Sequence, residues 1–140
     1  MFGIFKDNKP EIHKMIKKAI IEEERWFTGV LADVRSKVNN ADFDVYKYCM
    51  DVDSQKMKDS FNNPMLEVYG ASSREMFQTL NKISPDAKYN VDNDSASGTV
   101  KGMQIFLMRH SKFGPTFVSV NATKYHSLEL IRVIKKYIED

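Results

Sequence analysis

Pro64-Met-Leu-Glu-Val-Tyr-Gly-Ala-Ser72 and Pro115-Thr-Phe-Val-Ser-Val-Asn-Ala-Thr123 follow one pattern, and its reading decides the expected fold. In each stretch a proline opens a short strand at a position where its missing N–H is tolerated. Gly70 or Asn121 follows, residue types that can adopt positive φ, then an alanine and a hydroxyl residue. Ser72 and Thr123 are suitable helix N-caps, and Ser72 with Glu75 makes a capping box. The apolar residues beyond them also correspond: Phe77, Leu80 and Ile83 match Leu128, Ile131 and Ile134 at helical spacing.

Working outward, each copy follows a second strand candidate, Phe43–Val52 in the first and Thr99–His110 in the second, chosen for β-branched and aromatic content. The expected fold class is therefore α+β, with a duplicated ββα-ββα unit forming one antiparallel sheet that carries helices on one face. The first ββα unit spans 43–83 and the second 99–139, joined by a polar, mobile loop over 84–98. Ahead of them lie a lead-in, 1–9, and a helix over 10–38, which Pro10 opens. Its stripe runs through Ile12, Met15, Ile16, Ala19, Ile20, Trp26, Phe27, Val30, Leu31, Val34 and Val38. At 1.5 Å per residue that helix is about 43 Å long. A compact domain of this length is only about 37 Å across. The helix is expected to bend near Gly29 or to pack against a second copy in a symmetric homodimer.

The totals suit one domain with one core: 140 residues, 42% hydrophobic, 29% charged, with a formal net charge of +2. So near-neutral a chain has no global pull toward polyanions. Cys49 is the only cysteine, so no intrachain disulfide forms and a reducing, cytoplasmic location is expected. The apolar run Met1–Phe5 is too short for a signal-peptide core, and Phe2, Ile4 and Phe5 are read as packing beside the first helix instead of entering a membrane. Lysine supplies 16 of the 21 basic residues, a usage that suggests an AT-rich coding sequence from a low-GC bacterium or its phage.

Motifs of known chemistry are thin. Leu107-Met108-Arg109-His110 resembles the Arg-His-Gly strand end of the histidine phosphatase family, in which that histidine is the nucleophile. Ser111 stands where the family has glycine, and no second Arg and His pair follows at suitable distance, so the activity is not carried over. Asp92, Asp94, Ser95 and Ser97 ahead of Gly98 lack the carboxylates and the final glutamate of a calcium loop. Asp42, Asp44, Asp51 and Asp53 bracket the first strand candidate, where they read as solvating acids. His13, His110, His126 and Cys49 have no metal-ligand spacing. No cofactor and no metal are expected. Glu23 sits inside the apolar stripe of the first helix, where a rim position or an answering lysine is the expected explanation.

Charge distribution is more informative. From Ser95 to Leu128 there are 34 residues without an acidic side chain. Lys101, Arg109, His110, Lys112, Phe113 and Lys124 within that segment form a candidate basic, aromatic binding hairpin. The first functional expectation is a non-enzymatic adaptor, inhibitor or regulator that binds a protein partner, with Trp26, Phe27, Val30 and Leu31 as the interaction helix. The alternatives are a nucleic-acid-binding protein that uses the acid-free segment, and an enzyme whose site matches no known motif.

Overall fold

The computed structural model describes residues 9–60, 66–68, 73–109, 116–125 and 127–140. The described elements are helices α1 (Lys9–Lys37), α2 (Val45–Ser60), α3 (Ser73–Asn81) and α4 (Ser127–Glu139), with strands β1 (Leu66–Val68), β2 (Lys88–Asn90), β3 (Ser95–Val100), β4 (Met103–Arg109) and β5 (Thr116–Thr123). The fold is α+β. All five strands join one antiparallel sheet in the order β1-β5-β4-β3-β2. The chain divides into two compact units, Met1–Ile21 with Pro64–Thr123, and Glu22–Asn63 with Lys124–Asp140. Each has its own hydrophobic cluster.

In the first unit, alternation along the strands sends Ala96, Met103, Ile105, Leu107, Val118 and Ala122 to one face of the sheet. Ile12, Ile16 and Ile20 of α1 and Met76 and Leu80 of α3 complete that cluster. A two-residue turn, Lys101-Gly102, joins β3 to β4, with φ of 52° and 76°. Positive φ at both central positions matches the right-handed twist of the flanking strands, and glycine at the second carries no steric cost. Ser84 is fully buried beside Gly98, and its hydroxyl donates to Asp86 Oδ1 at 2.5 Å. The Thr99 N–H lies 2.9 Å from both Ser84 Oγ and Asp86 Oδ1, so it is satisfied where β2 stops.

In the second unit, α2 begins at an N-cap. Asp44 Oδ1 accepts from the N–H groups of Tyr46 at 3.0 Å and Lys47 at 3.2 Å. Val45, Tyr48, Cys49 and Val52 then fall at helical spacing on the packed side, against Val30 and Val34 of α1 and Leu130 and Ile134 of α4.

Several expectations are corrected. Phe43–Val52 is not a strand, because Asp44 caps a helix there and the apolar period is 3 to 4, not 2. The first ββα unit over 43–83 is thus replaced by α2, β1 and α3. Thr99–His110 is not one strand, since Lys101 and Gly102 turn the chain. The segment 84–98 holds β2 and most of β3, not a mobile loop. Asn121 and Thr123 lie within β5 and neither turn nor cap the chain. The strand-then-helix half of the repeat recurs as β1–α3 and β5–α4, and its two strands pair with one another. The first helix runs as expected and stays helical through Gly29. Its residues from Glu22 onward belong to the second unit, where Val30 and Val34 pack with α2 and α4 of the same chain, so no second copy is needed to cover them. The capping box at Ser72 and the lead-in Met1–Phe5 lie outside the described residues.

Two stability predictions follow from this geometry. A Cβ on Gly98 would stand 2.4 Å from Ser84 Oγ and 3.2 Å from the Ala87 backbone, so Gly98→Ala should cost about 1–3 kcal/mol in urea unfolding. By contrast, a Cβ on Gly29 meets nothing within 4 Å, and Gly29→Ala should add roughly 0.4–1 kcal/mol by reducing backbone entropy in the unfolded chain.

Candidate functional site

In the second unit an open groove of about 450 Å³ lies between α1 and α2. Glu22, Trp26, Gly29 and Asp33 recur along α1 at steps of four, three and four, which keeps them on one face of the helix. Arg25 and Val30 flank them, and Tyr48 and Val52 of α2 form the opposite wall. Gly29 leaves the middle of the groove without a side chain. The wall is built rigidly: the Tyr48 hydroxyl donates to Asp33 Oδ2 at 2.9 Å, and Lys37 lies 3.2 Å from the same oxygen. The Tyr48 bond, more than Lys37, holds the Asp33 carboxyl below the usual range. Burial and then the Asp33 carboxylate push the Tyr48 hydroxyl well above its ordinary value, so it stays protonated as the donor.

At one end of the groove, Trp26 carries the Lys56 ammonium 3.7 Å above its ring. The same ammonium reaches Glu23 Oε2 at 2.5 Å, and the other Glu23 oxygen accepts from the Lys124 N–H at 3.1 Å. Glu23 is 4% exposed, so an answering lysine does explain its place in the apolar stripe. Phe27 faces inward and stacks on Tyr125 with centroids 4.3 Å apart. Of the four interaction-helix residues, Trp26 and Val30 thus line the groove, Phe27 lies in the core contact and Leu31 is half-buried outside the lining. Cys49 is buried, and burial pushes its thiol up to about 11.

Three residues of the basic segment, Lys101, Arg109 and Lys124, are described. Lys101 sits at the Met103 end of β4 and Arg109 at its far end. Arg109 pairs with Asp94 at 3.4 Å. Asp94, held at φ 51°, also accepts from Tyr89 at 2.8 Å and from the Ser73 hydroxyl. The acid that answers Arg109 is therefore the residue immediately before the acid-free window. Lys124 belongs to the second unit and lies 5.3 Å from the Tyr125 centroid. His110, Lys112 and Phe113 lie outside the described residues, as does His126. Asp44 is used as a helix cap, which removes it from the acidic quartet. Among the described residues no group of three His, Cys, Asp or Glu side chains could hold a metal ion, and no helix is long and apolar enough to cross a membrane.

Comparison with protein-family models, curated proteins and solved structures finds no match.

Double-mutant unfolding experiments test the buried pair. Lys56→Met alone leaves a carboxylate in the core without its cation and should cost about 2–4 kcal/mol. Glu23→Leu/Lys56→Met should recover at least half of that loss, since apolar replacement removes both charges together. Additive losses in denaturant melts would show that the pair is not coupled.

Proposed function

We propose that this chain is a non-enzymatic, cytoplasmic binding protein, an adaptor or regulator that receives a helix of a partner protein in the α1–α2 groove. The observation that carries the reading is the glycine notch. Gly29 is helical, so no positive φ requires it, and no described residue comes within 4 Å of where its Cβ would stand. A glycine in a helix interior costs about 0.5–1 kcal/mol relative to alanine, and here it leaves room for another backbone to approach beside Trp26 and Val52. The groove is open to solvent and not enclosed, which suits a macromolecular segment better than an enclosed small ligand.

A second support is that the buried polar groups already have partners within the chain. Glu23 is held by Lys56, Ser84 by Asp86 and Thr99, Ser95 by Asn93, and Thr79 by its own helix. Side chains tied into the scaffold in this way favour a binding role over acid–base chemistry. A phage origin is compatible with the lysine-rich composition and remains part of the proposal, as does assembly into a homodimer.

The test is a comparative capture from nuclease-treated lysate. Gly29→Trp should fill the notch and abolish capture of the partners that the parent chain retains, while Gly29→Ala, a smaller obstruction, should weaken it by about tenfold. Arg132→Ala, at an exposed α4 position, should have no effect. Equal capture by the parent and Gly29→Trp would remove the groove as the docking site.

A further inference from the structure

Arg25 and Asp33 stand at equal distances from the notch in α1, four residues before Gly29 and four after it, and all three line the groove. At 1.5 Å per residue each charge lies about 6 Å from the glycine along the helix. Arg25 is exposed and makes no hydrogen bond or ion pair with a described residue. The Asp33 carboxylate is half-buried, and its described partners, the Tyr48 hydroxyl and the Lys37 ammonium, both meet Oδ2. Oδ1 is left to accept from a further donor.

A row built this way is complementary to itself. When a second copy lays its α1 across the notch in the opposite direction, a two-fold axis at Gly29 brings together residues equally far from the glycine, one before it and one after it. Arg25 of each copy then meets Asp33 of the other. Glu22 comes level with Ser36 and Ile21 with Lys37, so no like charges are opposed. The i±4 rows of two helices run alongside one another at a crossing of about −50°, the commonest in globular proteins, and Arg25-Gly29-Asp33 is such a row. A parallel crossing at the same point would set Arg25 against Arg25 and Asp33 against Asp33, which costs free energy. The missing side chain at Gly29 lets the two backbones approach, and half-buried Trp26 adds apolar area beside the crossing. A foreign helix would need an acid and a base at that same spacing, whereas a second copy has both.

We propose that the helix seated at the groove is α1 of a second copy, crossing antiparallel at Gly29 and held by two reciprocal Arg25–Asp33 pairs. The proposal rests on the reading of the groove as a seat for a helix, and it names the occupant. It does not draw on the apolar stripe, whose Val30 and Val34 are covered within the chain. Self-association closes the groove to other helices, so the dimer and a foreign complex compete.

Sedimentation equilibrium of the full chain at roughly 5 to 500 µM reads the association directly. The parent should form a dimer and no larger species, because a two-fold contact closes on itself. Arg25→Glu and Asp33→Lys, each checked by circular dichroism and melting temperature, should each weaken dimerisation by about tenfold or more, since each opposes like charges across the axis. Mixed in equal amounts, the two variants should form a heterodimer within about threefold of the parent affinity, because every facing pair is then opposite in charge. Asp33→Asn, which keeps an acceptor for Tyr48, replaces Asp33→Lys if that variant does not fold, and should weaken the dimer about fivefold. Gly29→Trp should abolish the dimer, and Arg132→Ala on α4 should leave it unchanged. The proposal is overturned if the parent is monomeric throughout, if folded Arg25→Glu associates like the parent, if mixing folded Arg25→Glu and Asp33→Lys recovers nothing, or if a dimer survives Gly29→Trp. A monomeric parent would leave the capture of a foreign helix to be decided by the lysate experiment alone, so the two readings fail separately.

Discussion

Helix α1 must supply one continuous apolar stripe to two separate cores, and the rest of the structure depends on how it meets that constraint. Ile12, Ile16 and Ile20 serve the sheet cluster, and Val30 and Val34 serve the helical one. All five keep the same angular position on the helix, so Glu23, which falls between the two sets on that stripe, cannot turn to water. A carboxylate buried there is stable only when paired. Lys56 from α2 and the Lys124 N–H ahead of α4 provide the partners, so Glu23 draws both segments toward α1. Lys56 then covers one face of Trp26, which sets one end of the groove. The polar interruption in the stripe thus ties α2 and the residue ahead of α4 to one point of α1.

The sheet unit uses smaller polar devices for a related purpose. Ser84 fills the space that Gly98 leaves, and with Asp86 it satisfies the N–H of Thr99 beyond the end of the short β2 strand. The Ser84 hydroxyl and the Thr99 N–H hold the Asp86 carboxyl down to about 2. Its contribution is therefore fully present above the unfolded carboxylate range near pH 4 and is lost as pH falls through about 2. Asp94 plays the corresponding part at the other end of β3, where it joins Tyr89, Arg109 and the first residue of α3. These bonds tie the β2 edge and the start of β3 to α3 and β4.

Much of this was legible in the residues themselves. The first helix, the β5 and α4 segments and the α+β class follow from period and proline placement, and the need to answer Glu23 follows from its place on the stripe. The reading of Phe43–Val52 failed because Val45, Tyr46 and Tyr48 have high β propensity. The stronger signal was Asp44 ahead of a 45, 48, 49, 52 spacing, and capping with tertiary packing overrides propensity. Lys101-Gly102 was passed over because a lysine at positive φ is uncommon and the flanking apolar residues looked continuous. The groove was half legible: Trp26 and Val30 could be placed on the stripe, but Tyr48 and Val52 could not join them while their segment was read as a strand. The acid-free window is visible in the residues, but where its cations stand is not. Absence of acids is a property of the sequence, whereas which residues share a face requires the register.

The two units also differ in ways that bear on how the chain would divide its work. The helical unit is slightly acidic and offers an apolar groove, whose walls carry ion pairs that are already internally matched. Matched charges give little long-range attraction, so a partner there would be held mainly by shape and apolar contact, with modest sensitivity to salt. The sheet unit carries 11 basic and 7 acidic residues, so its long-range field is positive and is screened by added salt. The two units therefore differ in the kind of force that each could bring to a contact, shape and apolar area in one and long-range charge in the other.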